Sequence, residues 1–140
     1  MEIRDRVALV TGANRGIGEA FVRVLLAEAG AAKVYAAARD PADAAHLERE
    51  FPGRCIAVRL DVTDEAQISA AAGRCADVGL LINNAGLFTN QLLIGAADIS
   101  HARAEMEVNY FGPLAMIRAF APVLARNGGG AVINVLSAAA

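Results

Sequence analysis

The chain has 140 residues, a 56% share of hydrophobic residues and a formal net charge of −2. That length suits one domain with a sizeable core, and so apolar a composition suits strands covered on both faces. A slightly acidic chain without a basic cluster argues against nucleic acid as main partner, and no continuous apolar run nears the roughly 18 residues of a membrane span.

The run Val7-Ala8-Leu9-Val10 predicts a first strand over residues 6–11. A glycine-rich segment follows, Thr11-Gly12-Ala13-Asn14-Arg15-Gly16-Ile17-Gly18, and then a helical pattern over 17–29. A second strand is expected at 33–38, followed by a helix over 41–50 with Asp40 as its N-cap and Pro41 at its first position. The third strand should span 55–60, and the helix after it 64–75. Thr63 is expected to cap that helix, with Asp64 and Glu65 favourable to its dipole. A fourth strand at 78–83 leads to a helix over 101–126, opened by Ser100 and ended by Gly128-Gly129-Gly130. Residues 131–136 complete the pattern as a fifth strand.

Strands alternating with helices in this way predict βαβ units and a parallel sheet. Right-handed crossovers give the strand order 3-2-1-4-5, a doubly wound, three-layer α/β sheet of Rossmann type. Cys55 falls in a strand and Cys75 near a helix end, without metal spacing, so both read as reduced core residues. The charged start, Met1-Glu2-Ile3-Arg4-Asp5-Arg6, runs directly into a strand and is not expected to be a signal peptide. A cytoplasmic location is the resulting expectation. His46 and His101 are expected to be solvated on helix surfaces.

The glycine turn brings free backbone N–H groups and the positive end of a helix to one point, which attracts phosphate. Gly12 allows the tight turn, Gly16 lets the backbone approach a pyrophosphate, and Gly18 lets the helix lie close on the sheet. The glycines fall four and then two residues apart, a departure from G-x-G-x-x-G, and a plain structural turn is the alternative for this segment alone. Asn14 and Arg15 belong to the same turn. Ala38 at the end of the second strand offers no carboxylate for a ribose 2′-hydroxyl. Arg39, next in the chain, offers a fork of donors suited to a 2′-phosphate, and Arg15 adds charge nearby. The alternative leaves both arginines as solvated surface groups. Asp40, the nearest acid, is assigned to capping, and the pattern favours NADP(H) over NAD(H).

Asp61-Val62 and Asn83-Asn84-Ala85-Gly86 end the third and fourth strands, where open α/β sheets bind ligands. Asp61 can accept from an adenine amino group, or serve only as a turn residue. Asn83 and Asn84 can tie strand ends together and line a cofactor groove. Asn109 sits inside a predicted helix, where asparagine is a poor choice. Pro113, four residues on, has no N–H for its carbonyl, which is expected to be open to a water or a side chain. A simple kink at Gly112 and Pro113 is the alternative. Ser137, at the end of the last strand, can donate to a substrate carbonyl oxygen, and no base lies near it in sequence to make it a nucleophile.

Taken together and in this order, these motifs resemble the short-chain dehydrogenase/reductase family over the whole chain. The resemblance implies that Gly12, Gly16, Ile17 and Gly18 line a pyrophosphate and that Asp61 and Val62 flank the adenine. It implies that Asn83, Ala85 and Gly86 support the nicotinamide side. Asn109 and Ser137 match two members of the family's catalytic Asn-Ser-Tyr-Lys set, with the main chain at the asparagine holding a water in a proton relay. The implied activity is carbonyl–alcohol interconversion by hydride transfer on a small molecule, in a dimer or tetramer. The family's Tyr-x-x-x-Lys follows its serine, whereas Tyr35 and Tyr110 each lack a lysine at that spacing and the single lysine is Lys33. Residues 1–140 are therefore expected to be the dinucleotide-binding amino-terminal part of a longer single-domain enzyme, with the sheet incomplete at its C-terminal side and the chain inactive alone. A non-catalytic dinucleotide-binding or redox-sensing module is the second reading. A methyltransferase is disfavoured, because Arg39 follows Ala38 where an acid should hold the ribose.

Overall fold

Leu9, Val10, Leu81 and Ile82 are almost wholly buried, because the strands that carry them lie in the middle of a sheet covered on both faces. A computed structural model describes residues 2–92 and 94–137. Its strands are β1 (Val7–Thr11), β2 (Lys33–Ala38), β3 (Cys55–Arg59), β4 (Leu80–Asn83) and β5 (Ala131–Asn134). All neighbouring pairs are parallel, in the order β3-β2-β1-β4-β5 expected from the sequence. The helices are α1 (Gly16–Ala27), α2 (Ala45–Glu50), α3 (Glu65–Arg74), α4 (Ser100–Met106) and α5 (Gly112–Arg126).

Side chains alternate across each strand and divide the core in two. Ala8, Val10, Val34, Ala36, Leu80 and Ile82 pack with Val22, Leu25 and Leu26 of α1 and Leu47 of α2. Leu9, Tyr35, Ala37, Val58 and Leu81 pack with Ile68 and Ala71 of α3 and Met116, Phe120 and Val123 of α5. This makes the doubly wound, three-layer arrangement. β5 is less covered, with Ile133 40% exposed.

Several local expectations change. The helix expected at 41–50 begins as a 3-10 turn, Pro41–Ala44, with Asp40 accepting from the Ala42 N–H at 3.0 Å as the cap. Thr63 does not cap α3. Asp64 does, its carboxylate accepting both the Gln67 N–H at 3.0 Å and the Gln67 side-chain amide at 2.9 Å. The Thr63 hydroxyl is committed elsewhere, donating to Asp61 Oδ1 at 2.7 Å. The helix of 101–126 is interrupted by a π-helical turn at Glu107–Phe111, where Gly112 donates to the Glu107 carbonyl. Pro113 has no N–H for the Asn109 carbonyl, so the ladder changes spacing at this point.

The α4–α5 stretch also corrects the membrane reading. Over Ser100–Arg126 the mean hydropathy of an 18-residue window reaches 1.2, so by length and composition this helix is apolar enough to cross a membrane. A count of continuous apolar runs misses it, because isolated charges break the run. Met116, Phe120, Val123 and Leu124 of this stretch are buried against the sheet, while 28% of the apolar window as a whole is buried. His101 also departs from expectation: it is half-buried and its Nε2 has no hydrogen-bond partner among the described residues. His46 is partly exposed and lies 3.4 Å from Glu19.

Cys55 and Cys75 are free and buried, as expected of core residues. Burial pushes both thiols up to about 11, which keeps them protonated and unreactive near neutrality.

Phe120 is fully buried beneath the sheet and anchors α5. Phe120→Ala should lower the unfolding free energy by about 3–5 kcal/mol, measured by urea denaturation with an unchanged m-value.

Candidate functional site

Parallel strands bring their carboxyl ends to one edge of the sheet, and here that edge opens into a cleft of about 500 Å³. The chain leaves β1 between β2 on one side and β4 on the other, which is the switch point where such sheets take ligands. Gly12, Asn14, Arg15 and Ile17 line the cleft centrally. Ala38, Arg39, Leu60, Asp61, Val62 and Thr63 line it on the β2–β3 side, and Asn84, Ala85, Gly86, Leu87 and Val108 on the β4 side.

The central turn is shaped by close approach. Gly12 adopts φ +62° against Ala85, whose Cα lies 2.9 Å from where a Gly12 Cβ would sit. A Cβ on Gly18 would fall 2.2 Å from the Gly12 carbonyl oxygen and 2.5 Å from the Asn84 amide. Only hydrogen fits there, so α1 starts directly behind the turn. Its N-cap, Arg15, is extended and supplies no side-chain cap, which leaves the first backbone N–H groups available to an anion.

The turn is tied to the end of β4. Thr11 Oγ1 accepts from the Asn84 and Ala85 N–H groups, each at 2.9 Å. Asn84 Nδ2 donates to the carbonyls of Thr11 at 3.0 Å and Gly12 at 3.2 Å. Asn83 does not line the cleft. It is buried at the end of β4, its Nδ2 donating 2.8 Å to Asn134 Oδ1 on β5. The two adjacent amides therefore divide the tasks expected of both, Asn83 tying strands and Asn84 shaping the groove.

On the β2–β3 side Arg39 is exposed and Asp61 is half-buried. Asp61 Oδ1 accepts from the Thr63 N–H at 2.9 Å and the Thr63 hydroxyl at 2.7 Å. These bonds, with the Arg39 charge adding to them, hold its carboxyl below the usual carboxylate value. Asp61 is thus a turn residue that also faces the cleft.

Neither Asn109 nor Ser137 lines the cleft. The Asn109 side chain brackets Leu87, accepting from its N–H at 2.8 Å and donating to its carbonyl at 2.7 Å. Ser137 is exposed beyond the end of β5. Gly16 and Gly18 flank the lining residue Ile17. Leu60 and Val108 line the cleft without standing out in the sequence, Thr63 is marked there only as a helix cap, and Leu87 belongs to the segment 87–90 that could border a substrate. Leu60 and Thr63 were legible as neighbours of Asp61, but Val108 lies in the π-helical turn, which the sequence pattern did not signal.

The family model for short chain dehydrogenases matches residues 6–140. The chain belongs to the short-chain dehydrogenase family. Among curated members, galactitol 2-dehydrogenase of Agrobacterium fabrum is 38% identical over 99% of this chain and 55% of its own length. A short-chain dehydrogenase of Burkholderia cenocepacia, solved in complex with NADP, superposes with a TM-score of 0.89 at 50% identity, over 98% of this chain and 55% of that one. The 3-ketoacyl-(acyl-carrier-protein) reductase of Brucella melitensis, solved with NADH, gives 0.87 at 30% identity, over 96% of this chain and 58% of that one. The chain spans about half the length of these short-chain dehydrogenases.

Because the Asp61 carboxyl is depressed in the folded state, its charge stabilises the fold above the ordinary value of 3.8. That contribution disappears as pH falls through the depressed value. Asp61→Asn keeps the turn's acceptor oxygen but removes the charge. Chemical denaturation across pH 2–6 should show the variant less stable than wild type at the upper end, the two converging at the acid end.

Proposed function

We propose that these residues form the dinucleotide-binding part of an NADP(H)-dependent oxidoreductase that interconverts a carbonyl and an alcohol by hydride transfer. The observation that carries this reading is the pairing, in one cleft, of an uncapped helix N-terminus with Arg39 at the end of β2. The first suits a pyrophosphate and the second a ribose 2′-phosphate. Ala38, buried just before Arg39, supplies no carboxylate to favour a 2′-hydroxyl. Binding of NADP by a structural relative half identical to this chain supports the same choice.

In this reading Gly12, Asn14, Arg15, Gly16, Ile17 and Gly18 hold the pyrophosphate through backbone N–H groups and the positive helix end. Asp61 and Val62 flank the adenine, Arg39 with Arg15 meets the 2′-phosphate, and Ala85 and Gly86 support the nicotinamide. Asn83 acts from below, by fixing β4 to β5. Ser137 donates to the reacting oxygen, and the Asn109 main chain, whose usual helical donor is replaced by Pro113, holds a water of the proton relay. The proton donor and its lysine partner lie outside these residues, since neither tyrosine has a lysine at Tyr-x-x-x-Lys spacing. The substrate is a small-molecule alcohol or carbonyl, and the intact enzyme is a cytoplasmic homo-oligomer.

Arg39→Ala in the intact protein should cost about 1.5–3 kcal/mol of NADP(H) binding, the scale of a hydrogen bond to a charged group, with NAD(H) affinity barely changed. Titration calorimetry with both cofactors measures this, and equal losses would make Arg39 structural.

Ser137→Ala should lower kcat by about 10²-fold or more while leaving cofactor affinity near normal, as removal of one transition-state donor does. Steady-state kinetics alongside cofactor titration separates the two effects. Near-normal turnover would take Ser137 out of the chemistry.

A further inference from the structure

The loop that leaves β4 has no regular secondary structure over residues 84–92, yet Gly86 and Leu87 form one wall of the cleft. Its position is set from outside. Asn109 holds Leu87 through both backbone polar groups, as described above. One helical turn earlier, Glu105 of α4 holds the loop two residues further on. Its Oε1 accepts from the Thr89 N–H at 2.7 Å and from the Thr89 hydroxyl at 2.6 Å. Glu105 lies on α4 and Asn109 in the π-helical turn that follows it, and together they hold residues 89 and 87. Phe88 between them is 78% exposed, so apolar packing of that side chain does not hold the segment. Bonds to a carboxylate are the strong kind, and one oxygen here receives two of them.

We propose that Glu105 is a positioning residue for the nicotinamide half of the bound dinucleotide, acting through Thr89 and Leu87 without touching the ligand. The inference rests on the dinucleotide reading of the cleft. A ligand with its adenosine end at Arg39 and Asp61 crosses the glycine turn and places its other half against the β4 wall. Glu105 fixes that wall through Thr89, and among the described residues its hydrogen bonds lie on the β4 side alone. Its removal should therefore act on one half of the ligand only.

The test compares NADPH with adenosine 2′,5′-bisphosphate, which carries the adenosine half alone, by titration calorimetry on the intact protein. Glu105→Ala should weaken NADPH binding about tenfold, the scale of one charge-assisted hydrogen bond, and leave adenosine 2′,5′-bisphosphate unchanged. Glu105→Gln keeps an acceptor oxygen and should recover most of the NADPH affinity. Unchanged NADPH affinity in Glu105→Ala would overturn the positioning role while leaving the cleft assignment standing. Equal loss of both ligands would also overturn it, in favour of a general effect on the fold. Failure of the wild-type protein to bind either ligand would overturn the dinucleotide reading, and the positioning role with it.

Discussion

The Thr11 hydroxyl is the point on which the site depends. It accepts the backbone N–H groups of Asn84 and Ala85, and the Asn84 side chain returns two bonds to the carbonyls at the end of β1. Two strands that are hydrogen-bonded along their length are thus also bonded where they stop, at the place where the ladder itself runs out. Leaving such partly buried N–H groups without an acceptor costs about 1–3 kcal/mol each, so the arrangement resists rearrangement. It fixes the carbonyl of Gly12, and the Gly12 carbonyl in turn sets how closely α1 passes at Gly18. The direction of the helix N-terminus, and hence the electrostatic character of the cleft, follows from that contact.

The two sides of the cleft are built differently. On the β2–β3 side the groups are charged and open to solvent, with Arg39 facing a carboxylate already held by its own turn. Charge in that position recognises a polyanionic end without much shape. On the β4 side the wall is uncharged, made by Asn84, Ala85, Gly86, Leu87 and Val108, which offer shape without formal charge. Such a wall needs to be held from behind. Asn109 and Glu105 supply that support from the helix layer, and Asn83 supplies it from the sheet.

The interruption of the long helix serves both roles. Val108 and Asn109 both fall within the π-helical turn between α4 and α5, not in a regular α-helix. The π-helical turn at Glu107–Phe111 absorbs the missing donor of Pro113. It lets α5 keep Met116 and Phe120 in the core while Val108 lines the cleft and Asn109 reaches Leu87. Energetic convenience in the helix and geometry at the site are the same feature.

The sequence alone determined the strand order, the layers and the location of the cleft. Buried parallel strands must be continuous apolar runs, crossovers have a fixed hand, and ligands gather where the strand order reverses. The motif residues Gly12, Arg39, Asp61 and Ala85 were legible for the same reason, since each ends a strand or makes a turn at that edge. Tertiary structure decided which of two adjacent asparagines faces the groove, which of two adjacent residues caps α3, and where the helix changes spacing. It alone placed Val108 in the cleft and paired Glu105 with Thr89. These choices turn on which neighbour a polar atom finds across a gap of many residues, and composition and periodicity along one chain carry no record of that distance.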